Sequence, residues 1–444
     1  MTSLPNPSPT LPLPGDRLDW LDPACRLVQD GQAYGRADLM GRAQDLRARW
    51  GAVGPVAAVA ATPLAVATAL VAACVSNVPL FLLRGGDVPA GVPAGVPMGV
   101  DAQVHADGAV TRLNKDAGAT DAGAWASGFS LVLETSGTTG APKRLRHDFA
   151  RLTARIQPGR GRGCTWLATF DPGGYAGLQV LLTVLRGGGT LVDGEAHDVP
   201  AQAERAARHA VTHISATPSF WRAFLLTGKK PPLKALTLGG EAVEQTLLDR
   251  LAVAFPGATL RHIYASTEAG ALFAVSDGLA GFPAAWLETG VEGTDLAIRG
   301  EVLHVRGPRL ALALADGRLL TDADGWYATG DRVEVVGDRV LFRGREDGVV
   351  NVGGVKVMPD AVEALIQAVP GIADAAVRVQ ASPITGHLLT AQLVAAPDQD
   401  PAALRPLVVA ALAGLPPAAR PRRLEFVTEL ELSPSGKKKR VRHE

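Results

Sequence analysis

The sequence predicts an α/β protein: a large N-terminal domain of sheets packed with helices, including a β-rich subdomain, followed by a small mobile α+β C-terminal domain. Three observations predict it. Between about residue 50 and residue 300, apolar β-forming runs alternate with Ala/Leu-rich helical stretches, the signature of strands joined by helices. From about residue 301 the texture changes to β-hairpins. Near Gly344 a last compact unit of roughly a hundred residues begins. The expected divisions are a flexible arm at 1–15, an N-terminal domain at 16–343 and a C-terminal domain at 344–444.

Taken in order, the arm carries Pro5, Pro7, Pro9, Pro12 and Pro14 and reads as loosely attached chain. It lacks a basic segment followed by an apolar core, so no secretory signal is expected. The apolar stretch from Pro63 to Leu83 is long enough to raise a membrane span, but Pro63, Ser76, Asn77 and Pro79 divide it. It reads instead as a buried strand–helix–strand unit: Val56–Ala61, Leu64–Val75 and Pro79–Leu83. Val88 to Val100 repeats Val-Pro-Ala-Gly-Val-Pro, a connection rather than a core element. Strand Ser130–Leu133 follows, then strand Thr165–Thr169, helix Ala176–Leu185 and strand Thr190–Val192. Next come strand His213–Ala216, helix Ser219–Leu226, strand Ala235–Leu238 and helix Glu244–Ala254. Val333–Val336 and Arg339–Phe342 flank Gly337-Asp338, a two-residue hairpin turn. In the last unit, helix Asp360–Val369 places Val362, Leu365, Ile366 and Val369 on one face and stops at Pro370-Gly371. Strands Ala375–Val379 and Thr390–Val394, helix Ala402–Leu415 and strand Leu424–Val427 complete it. The polar, charged stretch at 343–347 suits a hinge.

Lys plus Arg number 44 and Asp plus Glu number 44, for a formal net charge of +0. No global positive field therefore attracts nucleic acid or an anionic membrane. Cys25, Cys74 and Cys164 are far apart and form no Cys-x-x-Cys pair, which gives zinc and redox-motif chemistry no support and suits a reducing cytoplasm.

The chemistry concentrates in five stretches. Thr135-Ser136-Gly137-Thr138-Thr139-Gly140-Ala141-Pro142-Lys143 follows a buried strand. Its glycines let backbone approach oxygen atoms, its hydroxyls and N–H groups donate to an anion, and Lys143 adds charge. It is not a Walker A loop, because only two residues separate the glycines and Ala141-Pro142 precede the lysine. Leu238-Gly239-Gly240-Glu241-Ala242 ends a strand and opens a helix, where open α/β sheets hold ligands. Tyr264-Ala265-Ser266-Thr267-Glu268 offers an aromatic ring, hydroxyls and a carboxylate in one turn. Trp326-Tyr327-Ala328-Thr329-Gly330-Asp331 sets a carboxylate after a Thr-Gly turn, and Ser435-Gly436-Lys437 lies near the C-terminal end. Singly, each also reads blandly: Glu268 as a solvated acid, Tyr264 as core, Asp331 as a hairpin residue, Lys437 as part of a basic run with Lys438, Lys439 and Arg440.

Together, in this order and spacing over roughly 50–440, they resemble the adenylate-forming enzymes: acyl- and aryl-CoA synthetases, peptide-synthetase adenylation domains and luciferases. The resemblance implies that Thr135, Ser136, Gly137, Thr138, Thr139, Gly140 and Lys143 cradle the β- and γ-phosphates of ATP. It implies that Gly239, Gly240 and Glu241 line the adenine pocket, that Tyr264 stacks on the base beside Ala265 and Ser266, and that Thr267 holds the α-phosphate. Glu268 would ligate Mg²⁺, a hard cation suited to carboxylate and phosphate oxygens. Asp331, helped by Arg345, would bind the ribose hydroxyls, and Asp347 would be the hinge. Lys437 matches the adenylation lysine, and its chemistry is clear: a cation touching both reactants offsets the repulsion between a carboxylate and an anionic phosphorus centre. Gly353, Gly354 and Lys356 would line the path of a thiol after the C-terminal domain swings. The sequence departs from the family pattern at Arg144, Ala265, Gly348 and Asn351, and it is short before the phosphate loop.

Tyr175, His213 and Gly239 are expected to frame the acid pocket; Phe220 and Trp221 read either as joining that frame around a flat ring or as ordinary core on a helix, the core role suiting Trp221 better. Asn351-Val352-Gly353-Gly354-Val355-Lys356-Val357 resembles benzoate- and succinylbenzoate-type ligases, which implies a small aromatic or short acyl carboxylate. The resemblance implies as acceptor either CoA or the phosphopantetheine of a separate carrier protein. A non-carboxylate oxyanion substrate and a non-catalytic nucleotide-binding homologue are the other readings. The resemblance also allows a homodimer.

Overall fold

In the computed structural model the described residues are 17–50, 56–59, 62–83, 102–105, 109–112, 129–134, 144–308, 310, 320–382, 386–433 and 436–438. The expected arm at 1–15, the Val88–Val100 connection, the whole of 135–143 and Ser435 lie outside them. The described residues divide into two compact units, one running to Glu195 and the other from Ala196 onward.

In the first unit the strand–helix–strand reading appears as Val56–Val59, Pro63–Ser76 and Leu80–Leu83, with the two strands parallel. The helix starts where it does because the Thr62 hydroxyl accepts from the Ala65 N–H and Pro63 occupies its first turn. It ends at Asn77 in the left-handed conformation. Nearly the whole helix is buried, which explains an apolar run without one-sided periodicity. Leu131–Glu134 continues this sheet in parallel and Arg144–His147 closes it antiparallel. No helix among the described residues is long and apolar enough to cross a membrane. The same unit holds helix Tyr175–Gly187 and parallel strands Thr165–Leu167, Thr190–Asp193 and Arg26–Gln29.

The second unit carries parallel strands His213–Ala216, Ala235–Gly239 and Thr259–Ser266, with Gly270–Val275 folding back antiparallel. A five-stranded antiparallel sheet includes Tyr327–Val336 and Arg339–Arg345, joined at Gly337-Asp338 as the turn signal predicts. The expected limit at 343/344 falls inside strand Arg339–Arg345. Next come the hairpin Val350–Val352/Val355–Val357, helix Pro359–Gln367, antiparallel strands Ile372–Ser382 and Gly386–Ala395, helix Pro401–Ala411 and strand Arg423–Phe426. Two details correct the sequence reading. Leu365 is exposed rather than core, while Val362 and Ile366 are buried in one cluster with Ala375, Val377, Leu389 and Leu393 of the sheet. The helix expected to reach Leu415 ends at Ala411.

Candidate active site

Strand Ala235–Gly239 runs out at Gly240, which adopts φ +83 as few side-chain-bearing residues do. A β-carbon there would lie 3.6 Å from Cε of Lys437 and 3.8 Å from Cγ2 of Thr217. The loop carrying Lys437 is a tight turn: the Gly436 N–H donates to the Ser433 carbonyl at 2.8 Å, and the Ser433 N–H donates to the Lys437 carbonyl at 2.6 Å. The Ser433 hydroxyl also accepts from the Lys437 N–H at 3.3 Å. On the facing side, Thr217 caps helix Pro218–Leu226 by accepting from the Phe220 N–H at 3.1 Å, and its hydroxyl donates to the Gly436 carbonyl. The lysine expected to catalyse adenylation thus lies beside the glycine expected to line the nucleotide pocket. Glu241 accepts from both the N–H and the hydroxyl of Ser219, at 3.0 and 2.7 Å.

A second cluster surrounds Asp331. One carboxylate oxygen accepts from the Tyr264 hydroxyl, the other from Arg345 at 3.2 Å. The Asp331 N–H donates to the Thr329 hydroxyl at 3.1 Å, and that hydroxyl donates to the Leu303 carbonyl at 2.8 Å. Arg345 reaches Asp347 as well, at 3.1 Å. Burial raises the Asp331 carboxyl above its ordinary range although Tyr264 and Arg345 pull it back. Burial works against the Arg345 charge too, but Asp331 and Asp347 outweigh it and hold the guanidinium more firmly protonated. Burial, then Asp331, push the Tyr264 hydroxyl well above its usual value, so it serves as a donor. Its ring stacks on Phe273 and Phe342, with centroids 5.2 and 4.9 Å away.

Thr267 and Glu268 occupy the turn between Thr259–Ser266 and Gly270–Val275, where a bulge between Tyr264 and Ala265 shifts the register and the Ser266 hydroxyl accepts from the Ala269 N–H at 3.0 Å. Burial raises the Tyr327 hydroxyl, and the Glu268 charge raises it further. Among the described residues no group of three or more His, Cys, Asp or Glu could hold a metal ion. The one carboxylate of Glu268 suits Mg²⁺ only where phosphate oxygens supply other ligands, which is how that ion is usually held.

Other predicted residues are elsewhere. The phosphate loop, Thr135 to Lys143, is outside the described residues. Tyr175 opens its helix in the first unit, its ring 6.0 Å from His147. His213, expected to frame the acid pocket, faces Ala235 in the parallel pairing, at the start of the strand that ends in Gly239. Four residues of strand separate the two levels, about 13 Å. His213 instead pairs with the Thr212 hydroxyl at 2.8 Å, and burial lowers its pKa. Phe220 and Trp221 are both buried, and Trp221 donates to the Thr237 carbonyl at 3.2 Å, so both are core. Gly353 and Gly354, at φ +57 and +89, form a tight hairpin turn, with Asn351 accepting from the Gly354 N–H at 2.8 Å and Lys356 exposed. Arg144 sits on Glu134 at 3.2 Å, an ion pair that accounts for a side chain at that position. Sequence reasoning missed Thr217 and Thr329. Thr217 precedes a helix as ordinary caps do and Thr329 lies inside strand Tyr327–Val336, and nothing local marks the distant carbonyls they hold.

A sequence profile of the AMP-binding enzyme family matches residues 104–312, and one of the AMP-binding enzyme C-terminal domain matches 361–437. The chain belongs to the adenylate-forming enzymes. As one of them, it is 29% identical over 355 residues to the isonitrile lipopeptide synthase of Streptomyces coeruleorubidus, covering 69% of this chain and 23% of that protein. It is 25% identical over 368 residues to the fatty acid–[acyl-carrier-protein] ligase MmaC of Mycobacterium marinum, covering 72% of this chain and 69% of that one. This adenylate-forming chain spans only 9% to 23% of the lengths of the first curated relatives it matches. In fold it is similar to the anthranilate CoA ligase AuaEII in complex with anthranoyl-AMP (TM-score 0.73, 18% identity, 96% of each chain covered). It is likewise similar to a variant of E. coli MenE with bound OSB-AMS (TM-score 0.67, 21% identity, 91% and 92% covered).

Proposed function

We propose that this adenylate-forming enzyme activates a small aromatic or short acyl carboxylate and passes the acyl group to the thiol of CoA. In the first half-reaction a carboxylate oxygen attacks the α-phosphorus of ATP. The new C–O–P linkage forms as the bond to pyrophosphate breaks. In the second, the thiol sulfur attacks the acyl carbon and AMP leaves as the C–O bond breaks. The observation that carries this reading is the approach of the Lys437 side chain to Gly240 in the same unit as the Asp331–Tyr264–Arg345 cluster. A cation at the end of the strand that opens the nucleotide pocket can offset the charge gathered as carboxylate meets phosphate. Asp331 would take the ribose hydroxyls, Thr267 the α-phosphate, Gly239, Gly240 and Glu241 the adenine edge, and 135–143 the β- and γ-phosphates. Mg²⁺, held by Glu268 and phosphate oxygens, would neutralise charge on the leaving group. The region from 344 would then pivot at Asp347 and bring Gly353, Gly354 and Lys356 to the thiol's path.

The relatives favour a second acceptor, since a fatty acid–[acyl-carrier-protein] ligase stands among them. Acid-dependent AMP release, measured with CoA and separately with a phosphopantetheinylated carrier protein, decides between them. Stimulation by CoA is expected. Stimulation by the carrier alone would reassign the acceptor while leaving the first half-reaction in place.

A further inference from the structure

Lys437 is flanked by two anchors that neither its neighbours in sequence nor the adenylation chemistry call for. Before it, the Gly436 carbonyl is held by the Thr217 hydroxyl, which is 1% exposed. After it, Lys438 is buried at 8% exposure, and its ammonium is held in the interior. That ammonium donates to Glu363 at 2.7 Å and to the Ala375 carbonyl, and pairs with Asp374 at 2.8 Å. Three acceptors suit an ammonium's three donors. Glu363 is itself fixed by the Val377 N–H at 3.0 Å, and Asp374 by Gln367 at 2.9 Å. Asp374 also lies 3.7 Å from the buried Arg222, which pairs with Glu244. Arg222 and Thr217 both belong to the segment around helix Pro218–Leu226, so a single helix meets the lysine loop directly at Gly436 and indirectly through Asp374.

We propose that Thr217 and Lys438 are positioning residues that pin the peptide on either side of Lys437 and so aim its side chain along Gly240. The proposal rests on the reading of Lys437 as the adenylation lysine. The Lys438 anchor lies within the C-terminal region and travels with it. The Thr217–Gly436 bond and the Arg222–Asp374 approach exist only while the loop is docked, so they hold the enzyme in the arrangement for the first half-reaction and must break before the second. A lysine on a short loop gains its catalytic value from placement, and misplacement by about 1 Å can cost on the order of a hundredfold.

The test uses the full chain and two readouts. In hydrogen–deuterium exchange without substrate, Thr217→Val should speed exchange of amides at 436–438 by about tenfold or more, with helix Pro359–Gln367 unchanged and Thr217→Ser close to wild type. Lys438→Gln reads the other anchor independently and should also speed exchange at 436–438, here together with helix Pro359–Gln367, whose Glu363 the ammonium holds, which keeps the proposal testable if Thr217→Val does not fold. In the second readout, with benzoate and anthranilate as probe acids, both variants should lose acid-dependent ATP–pyrophosphate exchange in kcat while the KM for ATP stays within about twofold. Thioester formation from supplied benzoyl-AMP and CoA should be retained. Unchanged amide exchange at 436–438 in both folded variants would overturn the pinning, and so would equal loss of both half-reactions. Full pyrophosphate exchange in Lys437→Ala would instead sink the role of Lys437, a distinct result that leaves the amide-exchange arm to judge the anchors alone.

Discussion

Asp331 shows how much one carboxylate is asked to hold: a tyrosine hydroxyl, an arginine and, in the proposed reaction, the ribose diol. Asp331→Asn keeps the shape but removes the charge that orders Arg345, and it should raise the KM for ATP about tenfold or more, as measured by initial rates against ATP. A pH effect belongs to His147, whose imidazole is held down at about 4 by burial. Its folded value lies below the unfolded one, so the fold is unaffected above about pH 6.5 and loses stability as pH falls from there toward 4, by about 3 kcal/mol in all. Urea unfolding of wild type and His147→Phe across that window should show a steeper loss of stability in wild type, since His213 and His262, also lowered by burial, titrate in both. At this scale the sequence was legible where chemistry repeats a short pattern. Lys437, Asp331 and Arg345 were singled out from their motifs, and the structure brings Asp331 and Arg345 together. For His213 the sequence shows an imidazole on an apolar strand, and only the parallel register shows which end of the strand it occupies.

At the scale of elements, strand and helix positions could be read closely wherever polarity, proline or glycine punctuated an apolar run. The helix opening at Pro63 and the hairpin at Gly337-Asp338 are such cases. What sequence could not show is which distant element each cap would serve, as with Thr217, nor that Leu365 would face solvent when its neighbours Val362 and Ile366 are buried. The helix Pro359–Gln367 and strand Ile372–Ser382 are joined through Glu363, Gln367, Asp374 and the Lys438 ammonium. Breaking such a buried set by removing the ammonium that Glu363 and Asp374 share should be expensive: Lys438→Met is expected to destabilise the second unit by roughly 3–5 kcal/mol, read by denaturant unfolding. The hairpin at Gly353-Gly354 makes a milder case, because Gly354 holds φ +89. Gly354→Val should cost on the order of 1–2 kcal/mol locally and loosen the turn without touching pyrophosphate exchange.

For the whole molecule, the two matched regions, 104–312 and 361–437, hold strand Ala235–Gly239 and Lys437 respectively, while Asp331 and Arg345 lie between them. The alternation of strand and helix and the five motif stretches made the fold class and the family legible from sequence alone, because both rest on order and spacing. The identity of the acid was not, since pocket shape arises from side chains brought together by the fold rather than from any run of residues. The central claim is that this chain forms an acyl-adenylate with Lys437 as the group that brings the two anions together. Acid-dependent ATP–pyrophosphate exchange, without thiol, across aromatic and aliphatic carboxylates and with Lys437→Ala alongside, tests it most directly. The account predicts exchange with one class of acid and a fall of about two orders of magnitude or more in the variant. Exchange that persists undiminished in Lys437→Ala, or ATP binding with no exchange for any acid, would contradict it.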